Sequence, residues 1–325
     1  MINILNRLES QKNIKFKLMS IDEAESTLLN RTNYYKISCF KKNFTKDANG
    51  KYIDLDFATL YDLSIIDSRL RDILLKMSID LEHHLKRKII HFLTTSINIR
   101  HTSIFNRFDS YLRQEFTSDP ANAQRQYKTL FNKILPRTTD QQHYDYLIYS
   151  KYGTGAQYSR LRSNLPIWVL MEKLTSGQLA KFLDFYKSQT LPNYAHFDDA
   201  CNTFKNIVKI RNASAHNRPI IFNLVEPQQF GGVNHIPIFI ERKIRENFPK
   251  NSSDVLRKIN NYKFLDILTL IYLFDSYVES NTLKYARKEE LLKLIRRIRE
   301  NRNFYLKHNE LKNLFFIFEK LIKNF

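Results

Sequence analysis

The sequence predicts an all-α protein, and three observations carry that expectation. Apolar residues recur at three-and-four spacing over one very long stretch and several shorter ones. Only 6 glycines and 8 prolines occur in 325 residues, too few for the turns of a many-stranded sheet protein. Period-two alternation is confined to Ile220 to Val225 and His235 to Ile240, which leaves room for one minor β-hairpin around Gly231-Gly232.

Taken in order, residues 1–54 read as a mixed, basic helical lead-in, with patches at Ile21 to Leu29 and Tyr34-Tyr35-Lys36-Ile37. The Asp47-Ala48-Asn49-Gly50 cluster reads as a turn. From Phe57 to Phe92 the positions Ile66, Leu70, Ile73, Leu74, Met77, Leu81, Leu85, Ile89 and Phe92 hold a helical period for many turns. Glu82 sits beside that stripe, and His83, His84, Lys86, Arg87 and Lys88 crowd the polar side. Residues 98–163 are polar and interrupted at Pro120 and Pro136, and read as an insertion between helices.

Helical pattern resumes at Pro166 to Glu172, where proline suits a first turn. After a break at Thr175 to Leu179 it continues through Tyr186. Past residue 222 three helical runs follow, Leu256 to Val278, Arg287 to Arg302 and Leu311 to Ile322. The middle run turns Leu291, Leu294, Ile295 and Ile298 toward a core and leaves Lys293, Arg296, Arg297, Arg299 and Arg302 as a basic ridge, suited to phosphate contact or simply to solvent. The chain thus divides into a lead-in (1–54), a core (55–222, with the 98–163 insertion) and a basic C-terminal region (223–325).

A chain of 325 residues can bury one large core or two. Its formal charge of +19 favours polyanionic partners, nucleic acid ahead of a membrane surface, although a lysine-rich composition alone produces the same balance. Cys39 and Cys201 stand far apart, so neither a disulfide framework nor a cysteine zinc site is indicated. The first seven residues lack a signal-peptide core, and the apolar run Phe264 to Phe274 contains Asp266 and is too short to span a bilayer. A soluble, cytoplasmic protein without cofactor, metal or small-molecule substrate is expected.

One motif carries chemistry. Arginine followed by histidine after four to six residues occurs three times, as Arg211 to His216, Arg137 to His143 and Arg302 to His308. Spacing alone does not separate them. The Arg137 pair lies in a polar Thr-Thr-Asp-Gln-Gln stretch, and the Arg302 pair in a basic, solvated helix.

Arg211 instead continues a stripe of Ala200, Phe204, Ile207 and Val208 toward Ala215. A guanidinium in line with an apolar stripe needs a carboxylate or a bound anion. Arg211 and His216 lie roughly 140° apart on an ideal helix, so one site uses both only if the arginine wraps round, the helix ends nearby, or a second subunit contributes. Pro219 supplies a nearby end. A core ion pair with a histidine cap accounts for the same residues without catalysis.

Several segments together resemble the Abi-like abortive-infection proteins of the AbiD/AbiF type, a branch of the HEPN superfamily. They are Asn33-Tyr34-Tyr35-Lys36-Ile37-Ser38, Leu60-Tyr61 with Asp67-Ser68-Arg69-Leu70-Arg71, and Leu81-Glu82-His83-His84-Leu85-Lys86. Leu165-Pro166-Ile167-Trp168, Glu172 to Leu179 and Ile210-Arg211-Asn212-Ala213-Ser214-Ala215-His216-Asn217 complete the set, over residues 31 to about 222. The chain departs from the family at Cys39-Phe40, where a Gly-Tyr pair is common, and at Ser176-Gly177, where Phe-Gly is common.

The resemblance implies a HEPN-type helical bundle and a homodimer whose Arg-His motifs face one another. It also implies anti-phage defence by a ribonuclease or RNA-associated toxin, with a cognate small noncoding RNA in AbiF-type members. In a metal-independent endoribonuclease of this kind the ribose 2′-hydroxyl attacks the adjacent phosphate to leave a 2′,3′-cyclic phosphate. His216 would move the proton, Arg211 would clamp the phosphate, and Asn212 would orient either group. Glu82 would hold Arg211, or else pair with Lys86 four residues on. Lys86 and Arg87 join the C-terminal ridge as RNA contacts. A non-catalytic RNA scaffold or sensor, and a toxin component regulated by a protein partner, fit the same charge.

Overall fold

The computed structural model describes residues 2–97, 100, 103–115, 165–225 and 236–325. Among them are thirteen α-helices and no β-strand. The first five are α1 (Ile2–Lys12), α2 (Ile21–Asn30), α3 (Tyr34–Cys39), α4 (Phe57–Thr95) and α5 (Ile104–Glu115). The next four are α6 (Ile167–Lys173), α7 (Ser176–Ser188), α8 (Asp198–Ala215) and α9 (Ile238–Asn247). The last four are α10 (Ser252–Ile259), α11 (Tyr262–Tyr277), α12 (Asn281–Glu300) and α13 (Asn309–Lys323). They group into two compact units, Met1–Leu81 with Lys209–Phe325, and Glu82–Val208.

Local signals set the helix starts. Ser20 accepts from the Glu23 amide while the Glu23 carboxylate reaches back to the Ser20 amide, a capping box that opens α2. Thr175 and Gln178 repeat the device at α7, so the break at Thr175 is the start of a helix. Helix α4 covers the long periodic run, and the stripe positions from Ile66 to Ile89 are buried while Phe92 is half-buried.

In the unit built of Glu82–Val208, Ile104, Phe105, Phe108 and Leu112 of α5 are buried, so the stretch expected to be a polar insertion opens with an amphipathic helix. Its sparse apolar residues fall on one face, which a count of polar residues hides. Phe108 meets Phe182 and Phe185 of α7 at ring-centroid distances of 5.0 and 5.3 Å. Tyr186 packs edge-on against Phe197 at 5.4 Å.

The other unit is organised on α11, whose residues from Phe264 to Phe274 are all buried. A short helix that is apolar all round is a core helix, and among the described residues no helix is long and apolar enough to cross a membrane. The run expected as one helix from Leu256 to Val278 is split, because Asn261 caps a new start with its side-chain oxygen on the Lys263 amide.

Among the described residues neither arm of the expected hairpin forms a strand. Pro237 caps α9, and Ile238 to Ile240 form its first turn. Ile220 and Ile221 send their amides to the Asp67 carboxylate at 2.7 and 2.9 Å, so they have no ladder to join. Residues 226–235, including Gly231-Gly232, lie outside the described residues. Both cysteines are free, and burial pushes each thiol up to about 12.

Candidate functional site

Helix α8 ends at Ala215 through backbone geometry before Pro219 is reached. The Arg218 amide bonds to the Ala213 carbonyl at 2.8 Å and the Asn217 amide to the Ser214 carbonyl at 3.1 Å. Asn217 adopts a left-handed φ of +54°. This is the Schellman stop, with asparagine where glycine is commonest. His216 is thereby the C-cap residue, its side chain exposed beyond the last turn.

Arg211 sits on the edge of the buried face, because that face turns through Ile207 to Ile210 and Ser214 while Ala215 is exposed. Its guanidinium has one partner among the described residues, the Asn212 side-chain oxygen at 3.1 Å. Its Nε is buried with no hydrogen bond, and so is the Ser214 hydroxyl. Among the described residues no carboxylate pairs with it, and the core ion pair that spacing allowed is not formed with any of them.

The segment beyond His216 is fastened from α4. Asp67, 1% exposed, accepts both Ile220 and Ile221 amides on one oxygen and Arg71 Nε at 2.7 Å on the other. Burial raises its carboxyl above the usual range, opposed by those amides and by Arg71. Arg71 also donates to the side-chain oxygen of Asn217.

Further along, Asn43 donates to the Ile221 carbonyl at 2.8 Å and accepts from the Leu224 amide at 2.9 Å. Lys263 donates to the Phe222 carbonyl at 2.7 Å, and burial beside Lys42 brings its ammonium down to about 8. Side chains thus satisfy backbone groups that no sheet or helix takes up. The Asp67 to Arg71 spacing, two opposite charges four apart on the core side of a helix, was the available signal for this clasp.

Glu82 is engaged inside the Glu82–Val208 unit. One oxygen pairs with Lys86 at 2.8 Å and the other accepts the Ser176 hydroxyl. The pair with Lys86 is the one its spacing allowed. Lys86 is also structural, since its ammonium reaches the Leu174 carbonyl at 2.7 Å and closes the end of α6. Arg87 is exposed.

The C-terminal ridge separates into two kinds of residue. Arg297 turns inward to Asp62, which is 2% exposed and also accepts from Asn301 at 2.7 Å and Tyr305 at 2.5 Å. Arg299 forms a two-point pair with Glu319. Lys293, Arg296 and Arg302 remain exposed. Arg302 lies past the end of α12 in a short 3-10 turn, and His308 is half-buried against Phe44 at 4.6 Å, so this Arg-His pair is not the solvated helix face expected. The Arg137 to His143 pair lies outside the described residues. Among the described residues no group of three His, Cys, Asp or Glu side chains could hold a metal.

The profile of the Abi-like protein family matches residues 27–222, more than half of the chain. The chain belongs to the Abi-like protein family, whose name ties it to abortive infection, a form of phage defence. No curated protein and no solved structure matches it. The matched span contains Asp67, Arg71, Arg211, His216 and Asn217, the residues of the clasp and of the motif it holds.

Proposed function

We propose that this Abi-like protein acts in phage defence as a metal-independent endoribonuclease of the HEPN kind, with Arg211, Asn212 and His216 as its catalytic residues. The observation that carries the reading is the state of Arg211. A half-buried guanidinium with an unsatisfied Nε and no carboxylate partner among the described residues is costly without a bound anion, and an RNA phosphate supplies that anion.

In this reading the 2′-hydroxyl loses its proton to a neutral imidazole and its oxygen bonds to phosphorus. The bond to the 5′-oxygen breaks, and that oxygen takes a proton from an imidazolium. The products are a 2′,3′-cyclic phosphate and a 5′-hydroxyl, with no net gain or loss of water. Arg211 offsets the charge that builds on the non-bridging oxygens, and Asn212 holds the guanidinium in place. One chain offers one His216, so a homodimer supplies base and acid from two copies. A small noncoding RNA as bound regulator fits the excess of 52 basic over 33 acidic residues.

The test is cleavage of single-stranded RNA in excess chelator by the parent, His216→Ala and Arg211→Ala. Loss in both variants supports the assignment, and undiminished cleavage in either, or an absolute metal requirement, removes it. Tight, salt-dependent RNA binding with no cleavage by the parent selects the scaffold or sensor reading instead.

A further inference from the structure

A second basic feature lies beside the motif. In the unit containing Met1–Leu81 and Lys209–Phe325, a cleft of about 330 Å³ opens between the α2 to α3 connection, α4 and the clasped segment. Arg31, Lys36, Arg69, Arg71, Tyr61 and Asn217 line it. Asp67, the one carboxylate among the described residues that line it, has its oxygens occupied by two amides and by Arg71 Nε. Arg31 reaches the Tyr61 hydroxyl at 3.3 Å. Among the described residues, Arg31, Lys36 and Arg69 have no carboxylate partner at all. Three uncompensated cations thus converge on one opening, together with the Thr32 and Ser68 hydroxyls.

The character of the lining narrows the ligand. Phe40, Ile65 and Pro219 supply its apolar side, and Tyr61 has its hydroxyl engaged by Arg31. The volume is near the lower end of small-ligand pockets, about 300 Å³. Guanidinium, ammonium and hydroxyl donors recognise a phosphate and carry no sequence information. Asn217 lines the cleft and is the chain neighbour of His216, a separation of about 3.8 Å between Cα atoms. An anion held here therefore lies against the chain neighbour of His216.

We propose that the cleft binds a phosphodiester group of the RNA strand next to the linkage at His216, through Lys36 and Arg69 with Arg31 at the rim. The assignment rests on RNA being the ligand of the Arg211 and His216 site. Its readout is binding, so it does not depend on cleavage.

The test uses full-length His216→Ala protein and a short fluorescent single-stranded RNA, titrated at several salt concentrations. Removing Lys36 and Arg69 together, as Lys36→Ala with Arg69→Ala, is expected to weaken binding about tenfold or more. It should also flatten the slope of log affinity against log salt by about 1.4, two contacts at roughly 0.7 each. The charge-retaining pair Lys36→Arg with Arg69→Lys restores most of the affinity, whereas Lys51→Ala with Lys250→Ala, two exposed lysines outside the cleft, changes it less than about threefold. Should the double variant melt early, each single variant is read alone, with a slope change of about 0.7 expected.

Affinity and slope that follow the Lys51 and Lys250 control overturn the proposal. So does a nucleoside monophosphate that loses binding in the cleft variants while RNA binding stays intact, because the cleft then serves a free nucleotide. Cleft-dependent binding by a parent that never cleaves RNA refutes the ribonuclease reading and leaves the cleft assignment standing. Cleavage with cleft-independent binding does the reverse.

Discussion

Arg71, on the fourth helix, donates a hydrogen bond to the side-chain oxygen of Asn217, the left-handed residue that ends the motif helix. The same guanidinium is paired with buried Asp67, which holds the two amides that follow Pro219. The position of His216 is thus fixed by residues about 150 places earlier in the chain.

This clasp predicts a graded response at Asn217. Asn217→Gly keeps the left-handed backbone but loses the acceptor for Arg71, whereas Asn217→Ala loses both. Alanine is expected to be the more destabilising by roughly 1–2 kcal/mol, measured by urea denaturation. Asp67→Ala is expected to cost about 3–5 kcal/mol, since it leaves Arg71 and two amides buried without their partner. Equal stability of the two Asn217 variants would remove the backbone argument.

Arg297 and Lys293 should separate although they lie four apart on one helix. Arg297→Ala leaves Asp62 buried without its cation and is predicted to cost about 3 kcal/mol. Lys293→Ala is exposed and should stay within about 0.5 kcal/mol. Thermal melts of the two variants, beside RNA binding by the second, distinguish a structural arginine from a surface lysine.

Asp266 sets a pH dependence. Its burial in α11 pushes the carboxyl up to about 7, opposed by Lys209. The folded state therefore favours the protonated acid, so its contribution is present below the unfolded value near 4 and is lost as pH rises through about 7. Asp266→Asn is expected to stabilise the protein by on the order of 3–4 kcal/mol at pH 8 and by little at pH 4. A melting-temperature gain equal at both pH values would contradict this.

Arg211→Ala should cost little stability, within about 1 kcal/mol, because the side chain has an unsatisfied Nε and, among the described residues, no ion pair to lose. Calorimetry on the unliganded protein checks it. A loss of several kcal/mol would make Arg211 a structural residue.

The helices were legible where period and caps agreed. The stripe from Ile66 to Ile89 read directly as α4, and Thr175 with Gln178 carried a cap signature inside what looked like a break. The hairpin failed because alternation in Ile220 to Val225 describes an extended strap held by Asp67, Asn43 and Lys263, and extended backbone need not be a strand. Arg297 looked like a surface cation because its partner, Asp62, is 235 residues away, and no helical period reports a tertiary ion pair. The Arg211 to His216 motif was visible in sequence. The lack of a carboxylate partner for Arg211 among the described residues was not, since spacing cannot show what a guanidinium lacks.

The most direct measurement is the chemistry of the ends left on single-stranded RNA after incubation with the protein in excess chelator, read by mass spectrometry. The account predicts 2′,3′-cyclic phosphate and 5′-hydroxyl ends from the parent and neither from His216→Ala. Ends of 3′-hydroxyl and 5′-phosphate, or the same fragments from His216→Ala, would contradict it.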